Sequence, residues 1–286
     1  MVGRHSMKDF IRTLANTKLG VHSRNALGIA PIYSKTAYNT KDSRFSVSDL
    51  FLWRLDNSWK TRFELYNLPS LIYPKSHGKT CESEVHIYDC NGKLMEKATY
   101  SIEPFQSTTL YFDEILPGNT TRGTFAVFHS PKDNLELADI DSALIDRGYL
   151  GFSWGSSETP FWSYVHGMTY SLAKSLESDE VSPVHRKNLY NFTYRPQLRF
   201  DDCQKFTLVF VNPATKSANT TIRAYDEARN LVHEKTLKIP ALGVRSAEFE
   251  HEKNTAIAFV ECHSRLYMWR PYILKHSETY VDIFHS

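Results

Sequence analysis

The side chains that could carry chemistry in this sequence are mainly aromatic rings. The densest aromatic stretch spans residues 149–166, and a shorter one spans residues 267–272. Aromatic rings offer a large apolar area with few rotatable bonds, so a sugar ring or a partner protein can stack on them. The competing interpretation is that strand alternation points half of these rings into the hydrophobic core. The sequence predicts a binding surface formed by Trp154, Trp162, Tyr164, Trp269 and Tyr272.

A histidine and aspartate site is the alternative chemistry. His129 and His166 flank an acidic segment that contains Asp139 and Asp141, and imidazole and carboxylate groups are ordinary metal ligands. Their spacing matches no HExxH, HxH or EF-hand pattern. They stay candidates for the site of a hydrolase or a metal-assisted transferase. The other interpretation is that both histidines hold strands or turns together by hydrogen bonds.

The other catalytic motifs that we searched for are absent or lack the surroundings that catalysis requires. Residues 151–155 have the letters GxSxG, but the residues after Ser153 do not begin the helix that a nucleophile elbow requires. No glycine-rich phosphate-binding motif is present. Cys203 lies beside Asp201 and Asp202, whose charges disfavour its thiolate. We therefore expect a non-catalytic protein without a cofactor.

Composition and charge limit the cellular compartments and the kinds of binding partner to be expected. The chain has 286 residues, a formal net charge of +2 and four cysteines without CxxC spacing. Such a charge gives no reason to expect nucleic acid as a partner. No apolar run approaches the length of a membrane span, and the N-terminus lacks the apolar core of a secretory signal. We expect a cytoplasmic protein that binds a glycan or a protein, and self-association into a homo-oligomer stays open.

The two halves of the chain resemble each other. Residues 54–67 match residues 199–212, and residues 87–102 match residues 224–239, with no gap inside either pair. Three shorter blocks follow in the same order and pair His129 with His263, Arg147 with Arg265 and His166 with His276. Internal similarity of this kind predicts a duplication. Residues that both halves share are then expected to maintain the fold, and unmatched features are the better candidates for function.

Both halves have the pattern of short strands separated by turns, with Asn91-Gly92 as a hairpin signal in the first. We expect an all-β fold of two tandem antiparallel β-sandwich units, immunoglobulin-like or jelly-roll-like. The expected divisions are an N-terminal extension over 1–45, a first sandwich over 46–171, a linker over 172–194 and a second sandwich over 195–286. An insertion over 131–146 is predicted to form a short amphipathic helix.

Overall fold

The computed structural model shows an all-β chain with almost no helix, arranged as several small sheets. It describes residues 19, 23, 45–67, 70, 78–131, 145–146, 148–155, 161–175, 179–183, 190–214, 216–250, 257–266, 270–277 and 281–285. Within them, no helix has the length and hydropathy that crossing a bilayer demands.

The first half of the chain forms two sheets. Its elements are β1 (Phe45–Arg54), β2 (Trp59–Tyr66), β3 (Cys81–Asp89), β4 (Leu94–Ile102), β5 (Ser107–Tyr111), α1 (Phe112–Ile115), β6 (Arg122–Pro131), β7 (Ile145–Asp146), β8 (Tyr149–Trp154), β9 (Ser163–Val165), β10 (Met168–Ser175) and β11 (Val181–Pro183). One sheet has the order β11-β10-β1-β6-β3-β4, with β7 paired to β1, and the other has the order β5-β2-β8-β9.

The second half forms two four-stranded sheets. Its strands are β12 (Phe192–Tyr194), β13 (Lys205–Val211), β14 (Ala218–Tyr225), β15 (Leu231–Ile239), β16 (Val244–Glu250), β17 (Phe259–Ser264), β18 (Tyr272–His276) and β19 (Val281–His285). The sheet orders are β12-β17-β14-β15 and β16-β13-β18-β19. The second of these has the same chain connectivity as β5-β2-β8-β9.

Strand registers agree with the two long blocks of sequence similarity. Ile102 pairs with Cys81 in the first half, and Ile239 pairs with Ala218 at the same offset in the second. The side chains that recur also make the same bonds. The Nδ2 of Asn67 donates to the carbonyl oxygen of Ile102, and the Nδ2 of Asn212 donates to that of Ile239.

The recurring Arg-x-Asp motif also makes the same side-chain hydrogen bonds in both halves. The Nε of Arg54 donates to Asp56 at 2.8 Å, and the Nε of Arg199 donates to Asp201 at 2.9 Å. Each pair is bidentate, because the guanidinium NH2 contacts the second carboxylate oxygen. These repeated residues therefore close equivalent turns before β2 and β13.

The histidine pairs derived from two of the shorter blocks are wrong, and Arg147 of the third block lies outside the described residues. His129 pairs with Ser83 and is buried, whereas His263 pairs with Thr221 and lies on the opposite face of its sheet. A register shift of one residue exchanges the faces of a strand. The equivalent of His129 is Ser264, which is also buried.

His166 and His276 are not equivalent either. His166 follows β9 and is exposed, whereas His276 ends β18 and is buried. By strand pairing, His276 corresponds to Ser153, since both lie opposite the matching lysines Lys60 and Lys205. The 13-residue offset between His166 and Ser153 was invisible in the sequence, because loops of different length separate the strands.

Sheet β16-β13-β18-β19 is buried on both faces. Leu208 and Phe210 of β13 point into the core of the second half, and Val209 and Val211 belong to the core of the first. A strand buried on both faces has a continuous apolar sequence, which β13 shows. The second half therefore packs on the first through the outer face of this sheet.

Two predicted segments, the insertion and the linker, contain strands where the structure describes them. Of the insertion over 131–146, residues 132–144 lie outside the described residues, and residues 145–146 form β7 in parallel with β1 instead of helix. The predicted linker over 172–194 contains the end of β10 together with β11 and β12. β12 pairs with β17 of the second half.

Candidate functional site

The outer face of sheet β5-β2-β8-β9 gathers aromatic side chains around an arginine. Burial alternates along β2, so Trp59, Thr61, Phe63 and Leu65 point into the core. The positions between them point outward, as the period of two requires. We call this surface the aromatic face and define it by Arg62, Tyr66, Tyr111, Tyr149, Trp162 and Tyr164.

Arg62 occupies the centre of the aromatic face. Its guanidinium carbon lies 4.4 Å from the ring centroid of Trp162 and 5.1 Å from that of Tyr164. Cation–π contacts of this length hold the rings and the guanidinium in fixed positions. The Nε of Arg62 lies 3.3 Å from Oε1 of Glu64, which adds a carboxylate to the same surface.

Gly151 lies between Arg62 and Tyr164 on the aromatic face. It pairs with Arg62 on one side and with Tyr164 on the other. A Cβ at this position would lie 3.1 Å from Cγ of Arg62 and 3.1 Å from Cε1 of Tyr164. The missing side chain therefore allows the two neighbours to approach each other across β8.

Further rings and polar groups surround this centre. Tyr111 lies edge-on to Trp162 at 6.4 Å, and Tyr66 lies edge-on to Tyr149 at 6.1 Å. Burial, followed by the charge of Glu64, raises the pKa of Tyr66. Its hydroxyl is therefore protonated at neutral pH and can act as a hydrogen-bond donor.

The aromatic face is accessible to a ligand. Tyr149 is 50% exposed and Tyr164 is 41% exposed, while Trp162 is half-buried. Flat rings next to a guanidinium and a carboxylate can stack on an apolar surface and hydrogen-bond with hydroxyl groups around it. Such an arrangement suits binding, because it combines apolar area with fixed polar groups.

The structure brings two of the five predicted binding residues together. Trp162 and Tyr164 lie on the aromatic face, but Trp154 pairs with Trp59 and so lies on the opposite face of the sheet. Its ring lies 6.1 Å from that of His276, at the junction of the two halves. Trp269 lies outside the described residues.

Tyr272 is fully buried, so it cannot contact a ligand at the surface. Its hydroxyl accepts a hydrogen bond of 3.3 Å from the backbone N–H of Leu52, and its ring lies 6.3 Å from Phe152. Strand alternation explains this correction, because Tyr272 is on the face of β18 that packs on the first half. Tyr272 is a contact between the halves.

The two described candidate ligands for a metal, His129 and His166, do not lie together. His129 lies in the core with Nδ1 2.7 Å from Oγ of Ser83, whereas His166 is exposed outside a different sheet, beside the ring of Tyr149. Asp139 and Asp141 lie outside the described residues. Within the part of the chain that the structure describes, no three His, Cys, Asp or Glu side chains form a cluster that could hold a metal ion.

Two residues considered as nucleophiles are placed unfavourably for that role. Ser153 lies within strand β8 and is buried, so it is not on a sharp turn between a strand and a helix. Burial raises the pKa of the Cys203 thiol to about 11, and Asp202 and Asp201 add to the rise. The predicted disfavoured thiolate is confirmed, with burial as the larger cause.

No protein-family model and no curated protein matches this chain. Among solved structures it is similar to a putative beta-galactosidase from Bacteroides fragilis, at 9% identity over 83% of this chain and 31% of that one, with a TM-score of 0.17. A Bacteroides uniformis beta-glucuronidase matches at 14% identity over 88% of this chain and 27% of that one, with a TM-score of 0.18. The chain spans less than a third of either structure, and TM-scores this low carry no argument about fold or function.

Sequence reasoning missed most members of the aromatic face. Arg62, Tyr66 and Tyr111 were not predicted to belong to a site, because they lie far in sequence from the aromatic stretch. One signal was available in the aligned blocks. The outward positions of β2 are polar or aromatic, whereas the matching positions of β13 include Val209 and Val211.

Proposed function

We propose that this chain is a non-catalytic binding protein made of two tandem β-sandwich units, and that its aromatic face binds a glycan. The observation that carries the proposal is the grouping of Trp162 and Tyr164 around Arg62 on an open sheet face. The repeated order of strands supports the two units, with divisions near residues 46, 172 and 195. The four unpaired cysteines agree with the reducing compartment expected of a cytoplasmic protein.

The polar groups of the aromatic face favour a glycan over a protein partner. A sugar ring has an apolar C–H surface bounded by hydroxyl groups, which donate and accept hydrogen bonds. Arg62 and Tyr66 supply donors, and Glu64 supplies an acceptor within the same surface. A protein hot spot usually needs an anchor pocket that water cannot enter, and a half-exposed row of rings provides less enclosure.

A screen of the full chain on a glycan array, followed by calorimetric titration of the best ligand, tests this function. Trp162→Ala and Tyr164→Ala should each weaken binding by about tenfold or more, which corresponds to about 1.4 kcal/mol. Trp154→Ala should bind like the parent, because its ring lies on the other face of the sheet. Tyr190→Ala removes a ring that is 71% exposed elsewhere and serves as a second control.

The expected pattern separates the surface from general loss of structure. Thermal melts of each variant establish that it folds before its affinity is compared. An array without any binding glycan argues against a glycan ligand. Parent-like affinity of Trp162→Ala and Tyr164→Ala for an array ligand shows that the glycan binds elsewhere.

A further inference from the structure

The second half carries a cavity of its own on the outer face of sheet β12-β17-β14-β15. Its volume is about 340 Å³, which lies within the range of small-molecule sites. The lining residues are Arg195, Pro196, Tyr225, Arg229, Phe259, Val260 and Glu261. The cavity lies on a different sheet from the aromatic face, so the ligand proposed for that face does not account for it.

Two stacked rings form the apolar part of this cavity. The ring centroids of Tyr225 and Phe259 are 5.0 Å apart, with an interplanar angle of 15°. The two residues are direct partners in the pairing of β14 with β17. Their position across adjacent strands keeps the rings together and offers a ligand a wide apolar surface.

A buried carboxylate supplies the hydrogen-bond acceptor. Glu261 is only 9% exposed, and its Oε2 accepts a hydrogen bond of 3.4 Å from the hydroxyl of Tyr225. The guanidinium of Arg195 pairs with Oε1 of the same carboxylate. A carboxylate anchored beside stacked rings can receive hydrogen bonds from ligand hydroxyl groups.

Arg229 supplies a positive charge to the lining of the cavity. It is exposed, and no carboxylate among the described residues lies within ion-pair distance of its guanidinium. Because Arg195 is already paired with Glu261, the guanidinium of Arg229 is the group that an anionic ligand would meet. Planar donors of this kind match a carboxylate in a bidentate geometry.

The corresponding hairpin of the first half is covered by the second half. Gly92 occupies the hairpin position that corresponds to Arg229, and both have a positive φ, 81° and 67°. In the first half the backbone at Ala241 covers this hairpin, and Tyr88 is only 5% exposed. In the second half, the arginine side chain at position 229 leaves no room for an equivalent backbone contact. It places its charge beside Tyr225 instead.

We propose that this cavity is a binding site for a carboxylated sugar ring of the hexuronate class. The ring stacks against Tyr225 and Phe259, its hydroxyl groups donate to Glu261, and its carboxylate pairs with Arg229. The proposal does not depend on the aromatic face, because the two sites share no residue and belong to different halves of the chain.

Titration of the full chain with three probes, followed by NMR, tests the proposal. D-Glucuronate carries both the ring and the charge, D-glucose carries the ring alone, and acetate carries the charge alone. We expect glucuronate to bind at least tenfold more tightly than either of the others. Equal binding of acetate would show an adventitious anion only, and equal binding of glucose would remove the role of Arg229. Either outcome, or no binding of glucuronate, overturns the proposal.

Matched variants locate the site. Arg229→Gln should reduce the affinity for glucuronate to that for glucose and should fold normally, because the side chain is exposed. Arg223→Gln is the control. It removes a guanidinium from the same sheet face, but that guanidinium is paired with Glu234 and does not line the cavity. The affinity of this variant for glucuronate should therefore be unchanged. Trp162→Ala should also leave glucuronate binding unchanged. If Arg229→Gln binds like the parent, the assigned site is wrong.

Discussion

Gly92 lies so close to the second half of the chain that a Cβ on it would stand 1.9 Å from the carbonyl oxygen of Ala241. Nearby, the backbone N–H of Val244 donates to the carbonyl oxygen of Cys90 at 3.1 Å, and the guanidinium of Arg245 donates to the same oxygen at 2.8 Å. The first hairpin of one half and the turn before β16 in the other therefore meet backbone to backbone. Only glycine permits this approach at residue 92.

Replacement of Gly92 by alanine should lower the free energy of unfolding more than its conformation alone explains. Gly92 and Gly118 both have a positive φ, 81° and 73°, but a Cβ on Gly118 meets nothing within 4 Å. Gly118→Ala should therefore cost about 1 kcal/mol for the left-handed backbone. Gly92→Ala adds the steric conflict and should cost about 3 kcal/mol in all.

Urea denaturation of the two variants measures this difference. Gly118→Ala is the matched control, since it changes the same residue type in the same backbone region without a neighbour. Equal losses of stability in the two variants would mean that the approach of Ala241 to Gly92 does not contribute.

Acidification should destabilise the protein through a buried histidine on the outer face of β3. Burial lowers the pKa of His86, while its hydrogen bond to Glu84 acts in the opposite direction. Lys97 and Lys174, which also contact Glu84, lower it further. The unfolded chain therefore binds the proton more readily than the folded protein. Stability is full above the ordinary value of 6.5 and falls as the pH drops below it.

The carboxylate beside His86 extends this loss to lower pH. Burial raises the pKa of Glu84, but hydrogen bonds from Lys174 and His86 outweigh burial and leave it below its ordinary value. Its contribution is present above that value and is lost as the pH falls through the lowered pKa. The first loss of stability, between pH 7 and 5.5, is therefore assigned to histidine.

Denaturation midpoints at pH 7 and pH 5.5 test the assignment. His86→Gln should show a smaller drop between the two conditions than the parent. Part of the drop should persist, because burial also lowers the pKa of His276. The exposed His166→Gln is the control and should follow the parent. An unaltered drop in His86→Gln would place the sensitivity elsewhere.

A side chain at residue 151 should displace the neighbouring side chains of the aromatic face. A Cβ there already approaches Arg62 and Tyr164 to 3.1 Å, so the branched side chain of Gly151→Val displaces both. Valine suits a strand, which limits the effect on stability. We expect affinity for the array glycan to fall by about tenfold, or about 1.4 kcal/mol, with little change in the melting temperature. Unchanged affinity would show that the positions of Arg62 and Tyr164 beside Gly151 do not matter for glycan binding.

Removal of one hydroxyl group tests the structural role of Tyr272. Tyr272→Phe leaves the N–H of Leu52 without its acceptor in a buried place, which should cost about 1 to 3 kcal/mol in the free energy of unfolding. Glycan affinity should stay at the parent value, because the ring is remote from solvent. If Tyr272→Phe loses glycan binding but keeps the stability of the parent, Tyr272 takes part in ligand binding.

The sequence alone determined the strand-rich character of the chain, the resemblance of its halves and the residues that repeat. Arg54, Asp56 and Asn67 recur because equivalent turns and strand ends need the same hydrogen bonds, and such local needs can be read along the chain. Trp162 and Tyr164 were also within reach, since both belong to the dense aromatic stretch over residues 149–166.

Only the tertiary structure decided which of these faces is open. Tyr149 and Tyr272 occupy equivalent strand positions, yet one is half-exposed and the other is fully buried. The difference arises because the second half packs one sheet face on the first half, and no pattern within a single strand reports what covers it. The pairing of β2 with β8 and of β8 with β9 joins Arg62 to rings about a hundred residues away in sequence, and strand alternation places Trp154 on the opposite face.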